Sequence, residues 1–224
     1  MIPLRDANPS RRFPAVTYGI IGICVLAFFY ELALGPSLRV WIYHYGIVPV
    51  RYTHPQVAAR FSLLEQAIPF LTTMFLHGGW MHLIGNMWIL HIFGDNVESA
   101  LGHGRYLFFY LLCGLAASLF HIITNPASSV PTIGASGAIA GVMGAYFLLY
   151  PRARVLTLVP IFFYFSIVEL PAYVFLGVWF VMQFFSGTFS LMGSGTQVGG
   201  VAWWAHIGGF LAGMVFLKVF RGRP

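Results

Sequence analysis

Apolar residues run along the chain in long blocks, at about residues 15–35, 72–93, 106–124, 133–150, 167–187 and 200–219. A helix rising ~1.5 Å per residue needs roughly 20 such residues to cross ~30 Å of hydrocarbon, so the pattern predicts six membrane-spanning helices. The stretch 155–190 is too long for one helix, yet it holds Glu169 and Pro171. Splitting it would leave 155–168, 14 residues, which is too short to span. It is therefore read as an interfacial aromatic piece, "PIFFYF", leading into one helix with Pro171 in the first turn, where the missing N–H costs nothing.

Composition removes most other classes. Of 224 residues, 58% are hydrophobic, 17% aromatic and only 8% charged, which no soluble globular domain matches. Alternating barrel strands are absent, so the expected fold is an all-α polytopic bundle over 15–219, between a short segment 1–14 and a tail 220–224. With six spans both ends of the chain share a side. Arg5, Arg11, Arg12, Arg105, Arg152, Arg154, Lys218, Arg221 and Arg223 fall there, against Arg39, Arg51 and Arg60 on the other, so both termini are expected in the cytoplasm. The net charge of +6 then belongs to topology and anionic lipid, with no basic face for nucleic acid.

The first apolar run is too long for a cleaved signal and reads as a retained anchor. With no targeting peptide and no added soluble domain, a prokaryotic plasma membrane is expected. Cys24 and Cys113 lie inside spans and read as small apolar packing groups. The loop 36–71, rich in Trp, Tyr and Arg, is expected on the outer leaflet.

Few polar residues enter the membrane: His77, His82, Asn86 and His91 in the second run, His121 in the third, Ser136 in the fourth, Glu169 in the fifth and His206 in the sixth. Spans 2, 4 and 6 run in the same direction, and His82, Asn86, Ser136 and His206 all fall in their first turns, at similar depth near the outer surface. His82 and Asn86 share a helical face, as do His206, Gly209 and Gly213, and as do Ser136, Ala140 and Gly144. Small residues on those faces let spans 4 and 6 approach closely, bringing His206 within reach of Ser136. An imidazole beside a serine hydroxyl activates a weak nucleophile by taking its proton. Glycines around Ser136 keep its approach open, and the helix start supplies N–H groups for an oxyanion, with Asn86 and His82 as further donors. Asp95, Glu98 and Glu169 fall at the other membrane face, so the expected machinery is a Ser–His dyad.

On "HGGWMHLIGN", "GASG" and "AHIGGFLAG", in that order, with "FGDNVESALGHGRY" after span 2, the chain resembles the rhomboid intramembrane serine proteases over about residues 40–219. The resemblance implies a six-helix fold with a water-filled cavity opening outward, Ser136 as nucleophile, His206 as base, and His82 and Asn86 near the oxyanion. It also implies single-span or polytopic membrane-protein substrates cut at or near the outer end of a transmembrane helix, without cofactor or metal. The chain departs from the family where Ile68–Pro69 replaces a Trp-Arg pair, and where Ala140 replaces the aromatic residue four positions after the nucleophile.

Other classes fit less well. A metal-dependent hydrolase would have to use His77, His82 and His206 without H-E-x-x-H or a carboxylate. A transporter would show an internal repeat around a midplane site. A catalytically dead scaffold would have lost Ser136 or His206.

Overall fold

The computed structural model describes residues 1–10, 12–161, 164–192 and 202–221, so Arg11 and Arg223 of the charge count lie outside the described residues. In chain order the elements are β1 (Ile2–Asp6), α1 (Ala15–Ala33), a short 3-10 turn, α2 (Leu38–Tyr45), α3 (Val50–Thr53), α4 (Pro55–Ala58) and α5 (Leu63–Thr72). They continue with α6 (Trp80–Leu101), α7 (His103–Thr124), α8 (Ser136–Leu149), β2 (Arg154–Ile161), β3 (Tyr164–Pro171), α9 (Ala172–Met192) and α10 (Trp203–Phe220). The fold is mostly helical, and α1, α6, α7, α8, α9 and α10 form the bundle.

The centre of the bundle is α8, in which every residue from Gly137 to Tyr146 is buried. It packs most extensively on α10, then on α7 and α6. The α8–α10 contact is backbone against backbone. A Cβ on Gly213 would collide with the carbonyl of Gly141, one on Gly209 with the carbonyl of Gly137, and one on Gly144 with the carbonyl of Phe210. Close approach through small residues therefore holds, but the face differs from the expected one: α8 presents Gly137, Gly141 and Gly144, not Ser136, Ala140 and Gly144. The reason is steric, since only glycine lets two helix backbones touch.

Among the described residues, four helices are long and apolar enough to cross a membrane: α1, α7, α9 and α10. The two bundle helices that fall outside this group are α6 and α8. Polar residues lower the hydropathy of α6, and α8 has only 14 residues, about 21 Å at ~1.5 Å per residue. Such a helix covers about two thirds of a ~30 Å hydrocarbon layer. The connection 125–135, which leads into α8, is non-helical.

Three expectations are corrected. The chain is not all-α: β1, β2 and β3 form a three-stranded antiparallel sheet in that order. "PIFFYF" does not run into a helix: Phe162 and Phe163 lie outside the described residues, and on either side of them β2 and β3 pair antiparallel, Arg154 with Pro171 and Leu156 with Glu169. β-branched and aromatic residues favour this pairing, and Pro171 closes the strand before α9 begins at Ala172. The apolar run expected over 72–93 is also not one helix: α5 ends at Thr72, and α6 starts at Trp80 after Gly79, whose φ of 157° suits glycine. α6 then continues past its acidic residues because they are satisfied inside the fold. Glu98 accepts from the N–H groups of Val16 (2.9 Å) and Thr17 (2.8 Å) and from the Thr17 hydroxyl (2.6 Å), at the start of α1.

β1 docks across the end of the bundle away from Ser136. Ala7 N–H donates to the Arg154 carbonyl (2.8 Å), and the Asp6 carboxylate accepts from Tyr146 Oη (2.6 Å) and Asn96 Nδ2 (3.0 Å). At the other end, α2 to α5 wrap around the fully buried Arg51. Its guanidinium donates to the carbonyls of Tyr43 (2.9 Å) and Glu65 (3.0 Å) and lies 3.9 Å from the Phe61 ring centroid. A serine–glutamate capping box, Ser62 with Glu65, starts α5. Buried contacts to Arg51 thus hold this loop where the family's Trp-Arg pair is missing, and Pro69 sits buried inside α5.

Candidate active site

Ser136 is the first residue of α8, and the backbone feeding it is clamped. Gly134 N–H donates to the Thr73 carbonyl (2.8 Å), and the Thr73 hydroxyl donates to the Thr132 carbonyl (2.7 Å). Gly134 has φ 128°, a region that side chains disfavour. A Cβ there would lie 2.7 Å from His82 Nε2 and 3.6 Å from Asn86 Nδ2, so the bare backbone makes room for both. The first N–H groups of α8 have no partner within the helix, and a helix start of this kind favours negative charge.

His206 lies in the first turn of α10, and its Nε2 is 2.8 Å from Ser136 Oγ. Its Nδ1 is 2.7 Å from Gln183 Oε1 on α9. An imidazole that donates from Nδ1 to an amide oxygen has Nε2 free to accept the serine proton. The ring is flanked by Trp179 of α9 and Trp203 of α10, with centroids 6.0 and 6.4 Å away. The aromatic neighbour missing at Ala140 is thus supplied from α9. Both Ser136 and His206 remain partly exposed.

Across the site stand His82 and Asn86, one turn apart on α6. Gly78 N–H donates to His82 Nδ1 (3.3 Å), which leaves the ring proton on Nε2, the nitrogen that faces Gly134. Asn86 Nδ2 is buried and finds no partner among the described residues. His77 lies in the turn before α6: its N–H reaches the buried Glu31 carboxylate (3.1 Å) and its ring packs on His82 with centroids 5.2 Å apart. The fold therefore gathers Ser136, His206, His82 and Asn86 around one point, with His77 behind them. His91, Glu169 and the cysteines lie elsewhere. His121 borders the cleft beside Ser136 and sits 2.8 Å, Nε2 to Oγ1, from Thr132 in the loop before Ser136.

Sequence reading missed Gln183. The signal was present, a lone amide in the apolar run "FLGVWFVMQFFSG", but an uncharged side chain did not stand out as the histidines did. Among the described residues no group of three His, Cys, Asp or Glu side chains is placed to hold a metal ion.

A protein-family model of the rhomboid domain matches residues 64–223. The chain is similar to "Rhomboid protein 1, mitochondrial" of Saccharomyces cerevisiae, 27% identical over 205 residues, which cover 90% of this chain and 52% of that protein. It is similar to "Rhomboid protease GluP" of Bacillus subtilis, 34% identical over 140 residues, 61% of this chain and 24% of that one. It is also similar to "Rhomboid-like protease 5" of Toxoplasma gondii, 32% identical over 151 residues, 64% and 15%. The chain thus spans about half the length of the yeast relative and less of the other two.

Proposed function

The chain belongs to the rhomboid family, and from that premise we propose that it is an intramembrane serine endopeptidase working by a Ser136–His206 dyad. Ser136 Oγ attacks the scissile carbonyl carbon while its proton passes to His206 Nε2. The oxyanion of the tetrahedral intermediate is met by Asn86 Nδ2, by His82 Nε2–H and by backbone N–H at the start of α8. His206 then gives the proton to the leaving amine, and water drawn in by the same imidazole cleaves the acyl-enzyme. The observation that carries this reading is the 2.8 Å contact between Ser136 Oγ and His206 Nε2, partly exposed, in a chain whose surroundings are almost all hydrocarbon.

The substrates are membrane proteins, single-span or polytopic, cut at or near the outer end of a transmembrane helix. The shortness of α8, which begins at Ser136, supports that position. The bundle crosses the membrane six times over a domain 15–219, with segments 1–14 and 220–224 on the cytoplasmic side. β1 pairing with β2 supports one shared side for residues 2–7, 95–98 and 146–158. The relatives include mitochondrial as well as bacterial proteins, so the family does not single out the prokaryotic plasma membrane expected from the sequence.

The test is purified protein in micelles incubated with a panel of single-span substrates, the cut mapped by mass, with labelling by a serine-directed fluorophosphonate in parallel. Cleavage and labelling are expected for the parent and neither for Ser136→Ala, which removes only the nucleophilic oxygen. Turnover by a folded Ser136→Ala protein would overturn the assignment.

A further inference from the structure

We propose that Gln183 is a positioning residue for this reaction, its side-chain carbonyl accepting Nδ1–H of His206 and so keeping Nε2 unprotonated toward Ser136. The proposal rests on the dyad reading and adds a third member to it.

Gln183 is 7% exposed and lies in the stretch 178–185 of α9, where every other side chain is apolar or aromatic. A buried amide in hydrocarbon is retained where it is hydrogen-bonded, and the bond recorded for its carbonyl is the 2.7 Å contact to His206. The helix is held at this point. Trp179, Gln183 and Gly187 fall at i, i+4 and i+8, on the face toward α10. Trp179 packs beside the His206 ring. Trp204 Nε1 of α10 donates to the Gly187 carbonyl (3.2 Å), and a Cβ on Gly187 would lie 3.2–3.3 Å from Trp203 and Trp204. The amide is therefore fastened one turn above and one turn below, and its oxygen is fixed against Nδ1.

The choice of an amide has a chemical consequence. A carboxylate here would favour imidazolium, whereas a neutral acceptor fixes the tautomer and ring angle and adds no charge. Among the described residues, the titratable groups around His206 are His82 on α6 and His121 on α7, both imidazoles. The opposite amide orientation, with NH2 toward Nδ1, would place the ring proton on Nε2, where it donates to Ser136 and cannot take its proton.

The test combines kinetics with a tautomer measurement on the full chain in micelles. In Gln183→Met, similar in shape but lacking the carbonyl, kcat should fall about tenfold or more with KM nearly unchanged, because the ring loses its orienting partner only. Gln183→Glu restores an acceptor. It should recover most of kcat at alkaline pH, with the acid limb of kcat/KM moved upward by about one unit or more. Nitrogen-15 spectra of histidine-labelled protein should show the Nδ1–H tautomer at His206 in the parent, assigned by loss of the signal in His206→Ala. Parental kcat in folded Gln183→Met, a Gln183→Glu protein no more active than Gln183→Met, or an Nε2–H tautomer in the parent would each overturn the proposal. Where Gln183→Met fails to fold, the parent spectrum and Gln183→Glu decide. Ser136→Ala, run alongside, separates the readings: if it keeps turnover the dyad itself is wrong, and if it is dead while Gln183→Met is fully active only the positioning role falls.

Discussion

Ser136 Oγ and His206 Nε2 lie 2.8 Å apart although 70 residues separate them, and they meet because α8 and α10 touch backbone to backbone beneath them. Gly137 faces Gly209 and Gly141 faces Gly213, so each turn below the pair is as close as two helices can pack. The reactive geometry is in this sense a property of glycines that never touch substrate.

Gly213→Ala should therefore reduce turnover as well as stability. Its Cβ would enter the carbonyl and Cα of Gly141, which are backbone and cannot swing aside. The helices must part, at an overpacking cost of about 1–3 kcal/mol, and the Ser136–His206 distance grows with them. Gly22→Ala is the control, since nothing lies within 4 Å of the added methyl. Thermal unfolding and turnover in the same micelles check both. A Gly213→Ala protein that matches Gly22→Ala in both readouts would refute the coupling.

Gly134→Ala should damage catalysis by a different route. The new methyl would sit against His82 Nε2 on a backbone with φ 128°, so either the loop shifts away from α6 or the His82 ring turns out of the site. Turnover should fall while fluorophosphonate labelling of Ser136 persists at reduced rate, because the nucleophile and base are untouched. Parental turnover would show that neither His82 nor the loop position matters.

Much of this arrangement was legible in the sequence, for a physical reason. In a chain of hydrocarbon, His82, Asn86, Ser136 and His206 stand out as costly, and helical spacing places them at one depth. Each apolar run also overlaps a bundle helix, although only α1 and α8 lie wholly inside theirs. What escaped is what periodicity does not encode. A run such as "LVPIFFYFSIVELP" has no face, so a hairpin and a helix look alike until pairing is seen. Gln183 was absorbed into the apolar run around it. The face of α8 was misjudged by one residue, because spacing from Ser136 does not say which small residue meets the neighbouring backbone.

Docking of the N-terminal strand should depend on pH. Burial pushes the Asp6 carboxyl up from its ordinary 3.8 to about 6, with the Asp95 charge adding to the rise and the Tyr146 hydrogen bond opposing it. The docked state thus binds the proton more tightly than the free chain. Its contribution to docking is fully present below about pH 4 and is lost as pH rises through about 6. Amide exchange of Ile2, Leu4, Arg5 and Asp6, corrected for intrinsic rates, should show strongest protection at the acidic end, and Asp6→Asn should flatten the profile. Protection that rises between pH 4 and 7 would contradict the sign.

Asn86→Ala should lower kcat without weakening the fold. If Asn86 merely tied α6 to its neighbours, its amide would be bonded to them, yet Nδ2 is buried with no partner among the described residues. A buried donor left unpaired costs about 1–3 kcal/mol, so replacing it by alanine should leave the thermal midpoint unchanged or raise it. The donor gains its partner only when an oxyanion forms beside Gly134, around the transition state, and its loss falls on turnover more than on substrate binding. Loss of one such donor in a soluble serine protease costs roughly 10²–10³ in rate. Here the fall should be smaller, about tenfold or somewhat more, because His82 Nε2–H and the helix-start N–H groups remain. The decisive comparison is kcat, KM and thermal unfolding on one preparation. If Asn86→Ala melts markedly earlier while the folded fraction turns over at the parental rate, Asn86 is scaffold and the oxyanion is held by other donors.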